Sequence, residues 1–514
     1  MIQKFRITTI VFFTIIIALF QLQAQDNQQQ KNAGKKIEIV NSDSLKFDKK
    51  RGAELKLLYG HVCFKQDNVT MYCDSAHFYS TLNQFNAYSK IHILQGDTVD
   101  VWGDSLKYDG NSKLAQIRGN VKMRDRKTIL TTQKFDYDMN NSVGKYIEGG
   151  KIIDGENTLS SINGTYFSNK KELFFKTSVK LHNKEYDVLT DTLRYNTNTH
   201  IATFLGPTRM FNKDGQVFTK KGWYNSKTDI SQLEKDSWVH DKEKQISGDS
   251  IYYDRRKKWG RVNRNVVILD TAQHSTIKGN YAYFKEKPEY YLVKDSVMML
   301  KELEGDTLYL HADSLIGFAI DTTKDYRIIK AFHKVRFFKS DIQGKCDSLV
   351  YKTQDSVIIM NLRPVLWSDK SQITAKLITI HLKNNEVDKV NIDDMAFIIS
   401  QEADTVNFNQ VKGAKMIAFF EKRKFHKLNV MKNGETIYYM RDGNDLTGIN
   451  KATCDNLTVY FKNQEVNEVV FRKKPVGTLY PPSKLLDKDK KLLDFRWQSS
   501  VRPFNRLDLY RWVE

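Results

Sequence analysis

A short phrase, Asp-Ser-Leu-x-Tyr or a near variant, returns down this chain at intervals of roughly 28 to 40 residues, and no other feature limits the fold so tightly. It is clearest at Gly103-Asp104-Ser105-Leu106-Lys107-Tyr108-Asp109. Copies stand at Cys73-Asp74-Ser75-Ala76-His77-Phe78-Tyr79, Phe135-Asp136-Tyr137, Asp191-Thr192-Leu193-Arg194-Tyr195, Asp249-Ser250-Ile251-Tyr252-Tyr253, Asp313-Ser314-Leu315, Asp347-Ser348-Leu349-Val350-Tyr351 and Asp455-Asn456-Leu457-Thr458-Val459-Tyr460. Weaker copies at Gly164, Trp223, Tyr281, Ile378 and Ile417 fill the gaps and bring the total to about thirteen. Gly103, Asp104 and Ser105 read as a turn, since Gly permits positive φ and the short polar side chains bond their own backbone. Leu106 and Tyr108 lie two apart and therefore share one face of the strand that follows.

A second phrase alternates with the first: Gly60-His61-Val62, Gly119-Asn120-Val121, Asn265-Val266 and Lys334-Val335. It is a polar or glycine break followed by apolar residues spaced by two. Each repeat therefore holds short strands and almost no helix. Val, Ile, Thr, Tyr and Phe crowd the periodic positions, and the 514 residues include only seven prolines. A unit of this size buries too little apolar area to fold alone, so stacked neighbours share one core. The prediction is an all-β, repeat-built, elongated body, with repeats over 46–300, cleanest over 46–160 and richer in aromatic variation from 160 to 300, and more divergent ones over 301–472. Near Lys376 the inward side is undecided between Leu377 with Thr379 and Ile378 with Ile380.

The ends read differently. Lys4 and Arg6, an apolar run from Ile7 to about Phe20 and Leu22-Gln23-Ala24 describe a secretory leader over 1–24, whose cleavage or retention as an anchor is left open. Residues 25–45 read as a disordered lead-in. Residues 473–514 break the repeat with Pro475, Pro481 and Pro482 and read as a basic, aromatic tail. No later stretch is apolar enough to cross a bilayer as a helix. The charge carried on alternate strand positions argues against a transmembrane barrel.

The formal charge is +20, with clusters such as Arg255-Arg256-Lys257-Lys258 near turns. Such clusters solvate loop tips and blunt strand edges, or attract an anionic partner. No nucleic-acid-reading motif accompanies them. Four cysteines do not make a disulfide scaffold, and spacing leaves a Cys63–Cys73 bridge open. Histidines are scattered, with no metal-ligand spacing, nucleophile elbow or phosphate loop, so no cofactor, metal or catalytic residue is expected. An aspartate recurring as Asp74, Asp104, Asp249, Asp313 and Asp347 suits a structural role, because a general acid needs one tuned environment.

What remains is the apolar stripe. Val62, Phe64, Phe78, Ile91, Ile93, Leu106, Tyr108, Val121, Met123, Phe135, Tyr137, Leu193, Tyr195, Ile251 and Tyr253 alternate so that all point to one interior. They are either plain core or the lining of a long trough for acyl chains.

The tandem Gly-x-Val and Asp-Ser-Leu-x-Tyr phrases in an exported chain resemble the OstA/LptA family, in a long form with many repeats. The resemblance implies an antiparallel β-jellyroll of V-shaped cross-section. Its interior would carry lipopolysaccharide across the periplasm, lipid A acyl chains inward. The implied partners are lipopolysaccharide, other Lpt-type bridge or translocon proteins joined by edge-strand addition, and copies of itself, with no nucleic acid and no enzymatic activity. Association with the inner or outer membrane is left open. The competing readings are a parallel β-helix carbohydrate-active or surface protein and a structural envelope filament.

Overall fold

The computed structural model describes residues 36–47, 54–97, 99–213, 215–321, 326–384, 386–421, 424–443, 445–462 and 465–511. The leader and residues 25–35 lie outside them. The chain divides into two compact units, 1–228 and 229–514.

In the first unit the repeat is a pair of long antiparallel strands, not several short ones. Leu55–Gln66, Val69–Tyr79, Gln84–Gln95, Val99–Asp109, Leu114–Asp125 and Thr128–Asp138 each pair with the next by tight turns. Within residues 36–45, expected as a disordered lead-in, the strand Glu38–Asn41 and the start of the strand Ser44–Phe47 form instead, both paired with Leu55–Gln66. The second unit repeats the scheme from Ile230–Asp241 to Glu465–Arg472 and Val476–Tyr480. Every pairing given for the described residues is antiparallel, which removes the parallel β-helix.

The two phrases meet in mid-strand. In Leu55–Gln66 the pairing skips Gly60 and His61, which face Asp74 alone on the neighbouring strand. That is a bulge, two residues against one, which bends the strand. Both residues take left-handed conformations, with φ of 75° and 42°. The corner recurs at Ser89-Lys90, Gly119-Asn120, Thr177-Ser178, Lys235-Asp236, Arg264-Asn265 and His333-Lys334. So Gly103-Asp104-Ser105 is not a turn. It is the middle of an eleven-residue strand, flanked on both sides by corners.

The recurring aspartate stabilises these corners, which carry non-glycine residues at a steric cost of about 1–2 kcal/mol each. Asp43 Oδ2 lies 2.8 Å from His61 Nδ1. Asp74 accepts from Ser89 Oγ at 2.8 Å, Asp104 from Asn120 Nδ2 at 2.8 Å and Asp249 from Asn265 Nδ2 at 3.1 Å. Gly119 is required there: a Cβ would stand 2.4 Å from Asp104 Oδ2, at a φ of 77°. The residue before the aspartate lies on the crowded inner side of the bend. It is Gly103 or Gly248, or a buried Cys73, Cys346 or Cys454.

The bend closes each strand on itself. Phe64 pairs with Met71, seven residues from Phe78, or about 23 Å along a flat strand. The Phe64 and Phe78 rings are nevertheless 5.8 Å apart, and Phe64 stacks on Phe85 at 4.2 Å. Each strand thus contributes to two arms that face one another across a shared interior. Cys63 and Cys73 sit on consecutive strands but on opposite faces, and all four cysteines are free thiols.

Candidate functional site

The bends enclose an apolar interior in each unit, and the two interiors differ. In the first unit it is filled. Val62, Phe64, Phe78, Ile91, Ile93, Leu106, Tyr108, Val121, Met123, Phe135, Tyr137, Leu193 and Tyr195 all point inward and are buried in one core running from Ile37 to Phe204. These side chains pack on each other.

Its mouth is latched. Tyr108, the tyrosine of the repeat phrase, donates across the opening to Gln66 Oε1 at 2.6 Å, and Gln66 Nε2 donates to Gly110 O at 2.8 Å. One repeat later Tyr137 donates to Gln95 Oε1 at 2.5 Å. In the next, Tyr166 donates to Asp125 Oδ2 at 2.5 Å. Asp125 also accepts from Lys171 Nζ at 2.8 Å and Ser168 Oγ at 3.2 Å, and its side chain is 2% exposed. In the repeat after that the Tyr195 hydroxyl lies 3.5 Å from His200 Nδ1. Burial raises the phenol pKa of Tyr137 and Tyr195 to about 12 and that of Tyr166 further, so each remains a donor at neutral pH. Beyond the phenols, Lys113 Nζ meets Asp67 Oδ2 at 2.5 Å across the same gap.

In the second unit the floor of the bend is equally dry. Leu233, Ile251, Val262, Val266, Ala282, Val293 and Val297 are buried. Higher on the arms, the inward residues Val239, Ile246, Tyr253, Ile268, Ile277, Phe284, Tyr291 and Met299 are only partly covered. Ile268 follows Val266 as Met123 follows Val121, yet Met123 is buried and Ile268 is not. The latch chemistry runs out here. Tyr253 donates along its own rim to Glu286 Oε1 at 2.6 Å, and the positions equivalent to it in the next two copies of the phrase are Phe284 and Gly317, which have no hydroxyl. Tyr291 instead lays its ring over Gly317, where a Cβ would be 1.8 Å from its Cζ.

The rim of this open stretch is cationic. Arg255, Arg256, Lys257 and Lys258 form the turn at one arm's tip; Arg256 reaches Asp229 at 3.1 Å and Lys258 reaches Glu286 at 3.5 Å. Near Lys376 the buried inward pair is Ile378 and Ile380.

The tail also has a definite place. Residues 481–511 lie against the outer face of the second unit, on a row in which glutamines alternate with apolar residues: Gln343, Trp367, Gln372, Ile399, Gln410 and Ile437. Gln372 donates to Arg496 O and accepts from Gln498 N, both at 2.7 Å. Gln410 does the same with Lys490 O and Leu492 N, both at 2.8 Å. Gln343 Oε1 accepts from Arg502 Nε at 2.8 Å. Leu485, Leu492 and Val501 fill the spaces between.

Among the described residues no three metal-ligating side chains come together. Burial pushes the Cys73 and Cys346 thiols up to about 12, far from thiolate character.

Residues 34–191 match the family model described as OstA-like protein. Among solved structures, the chain is similar to LptH of Pseudomonas aeruginosa, described as the LptA-homologous periplasmic component of its lipopolysaccharide transport device. The identity is 18%, over 19% of this chain and 76% of that one, with a TM-score of 0.18. No curated protein compared with the chain matches it. The cleanest repeats and the bent antiparallel ladder of the first unit lie within the residues, 34–191, over which the chain is similar to the OstA-like family.

Proposed function

We propose that this protein is a periplasmic, non-catalytic carrier of lipopolysaccharide, holding lipid A acyl chains against the inner face of its second unit. The observation behind this is the contrast within one fold. The same inward positions are sealed under tyrosine latches in the first unit, but partly exposed and rimmed by Arg255–Lys258 in the second. An apolar trough beside fixed cations matches an amphiphile with acyl chains and phosphates, the arginines binding phosphate oxygens bidentately. Ile251 and Tyr253 belong to this trough. The first-unit residues of the apolar stripe line a lipid path only when their latches open.

The exposed edge strands Ser44–Phe47 and Glu465–Arg472 suit strand addition to other bridge proteins or to further copies. Movement along the trough is passive, driven from elsewhere. Depletion of the protein in cells tests the reading. Lipopolysaccharide should accumulate at the inner membrane, and undiminished surface display would remove the transport role.

A further inference from the structure

The docked tail has a second face. Its buried anchors, Leu485, Leu492, Val501 and Leu509, point to the sheet, so its exposed side chains point away from it. Leu486, Leu493, Phe504 and Leu507 are 62–76% exposed, and Tyr510 is half exposed. So many large apolar side chains in water within about 25 residues is unusual for a soluble surface. Interleaved with them are exposed Lys484, Lys488, Lys491, Arg496 and Arg506, for which no ion pair is seen among the described residues. The exposed acids are already engaged, Asp487 with Lys490 at 2.8 Å and Asp494 with Lys412 at 3.1 Å.

We propose that this outer face of the tail docks the protein on an anionic phospholipid bilayer. Leucine and phenylalanine side chains enter the headgroup boundary while lysines and arginines meet lipid phosphates, the pattern of a surface-lying segment. A second copy of this chain is the weaker choice, because two identical cationic faces repel. The glutamine contacts make the device rigid: main chain is fixed every few residues, so the apolar side chains stay outward instead of collapsing onto the sheet. Docking by the outer face leaves the inner face of the unit free.

The test uses the full chain with an environment-sensitive dye at Leu493→Cys or Phe504→Cys, the native cysteines being buried, and Tyr88→Cys in the first unit as control. Vesicles of phosphatidylglycerol, free of lipopolysaccharide, are compared with vesicles of phosphatidylcholine. The proposal expects a blue shift at 493 and 504 with phosphatidylglycerol and none at 88. Replacing Lys488, Lys491, Arg496 and Arg506 by Gln should raise the lipid concentration at half-shift at least tenfold, with the strand circular dichroism unchanged. No shift at either tail position, an equal midpoint with phosphatidylcholine, or a shift produced by protein concentration without vesicles overturns it. The readout involves no lipopolysaccharide, so it stands or falls apart from the transport role.

Discussion

Removing the Tyr166 hydroxyl isolates the strongest latch. Tyr166→Phe keeps the ring in the core and deletes one donor to Asp125. Asp125 is almost fully buried, so the lost bond is one to a charged acceptor, worth about 1.5–3 kcal/mol. Lys171 and Ser168 remain, which keeps the cost at the lower end of that range. Lys171→Met removes the counter-charge instead and leaves a buried carboxylate, which should cost about 3–5 kcal/mol. Because both donors share Asp125 Oδ2, the double variant should not be additive, with a coupling of about 0.5–3 kcal/mol. Tyr108→Phe and Tyr137→Phe break bonds to neutral amides and should cost only about 0.5–1.5 kcal/mol each. Urea unfolding gives the global values. Amide exchange over Leu130–Tyr137 and Tyr166–Phe175 gives the local opening. Unchanged stability and exchange in both Tyr166→Phe and Lys171→Met would refute the claim that these rungs hold the mouth shut.

Three further outcomes follow from the same geometry. Burial raises Tyr137, Tyr146 and Tyr195 above the ordinary phenol value, so the stability they contribute is whole below about pH 10 and is lost as the pH rises through about 12; alkaline titration of unfolding should show this, and loss beginning near neutrality would contradict it. Gly119→Ala puts a Cβ against Asp104 in a left-handed corner and should cost about 1–3 kcal/mol in the same unfolding assay, whereas Gly96→Ala, with open space around it, should cost only its backbone strain. Gln372→Ala with Gln410→Ala removes four bonds to the tail's main chain and should bring rapid proteolysis between 484 and 500 without loss of the strand signal.

Much of this was legible in the residues. A strand offers only two faces, and Lys, Asp and Asn fill one of them, so alternation two apart separates the residues that the first unit buries from those it leaves outside. The structural role of the repeated aspartate followed from its number. Its mechanism did not, since a bulge inside a strand and a turn use the same glycine and Asx chemistry, and only pairing across strands tells Gly103-Asp104-Ser105 from a turn. Tail docking was hidden for a related reason: Gln343, Gln372 and Gln410 look like ordinary exposed positions until a segment far along the chain covers them. The latches were readable in principle. Gln66 and Tyr108, Gln95 and Tyr137, and Asp125 and Tyr166 recur at separations of 42, 42 and 41 residues, and farther along Phe284 and Gly317 take the tyrosine's place.

The central claim is that acyl chains occupy the second unit's open inner face while the first unit's interior stays sealed. Photocrosslinking amino acids at Ile268, Met299, Met123 and the outward Tyr252 test it in living cells. The account predicts lipopolysaccharide captured at 268 and 299, nothing at 252, and capture at 123 only when the Tyr137 and Tyr166 hydroxyls are removed. Capture at 123 in the unaltered protein with none at 268 or 299 would contradict it.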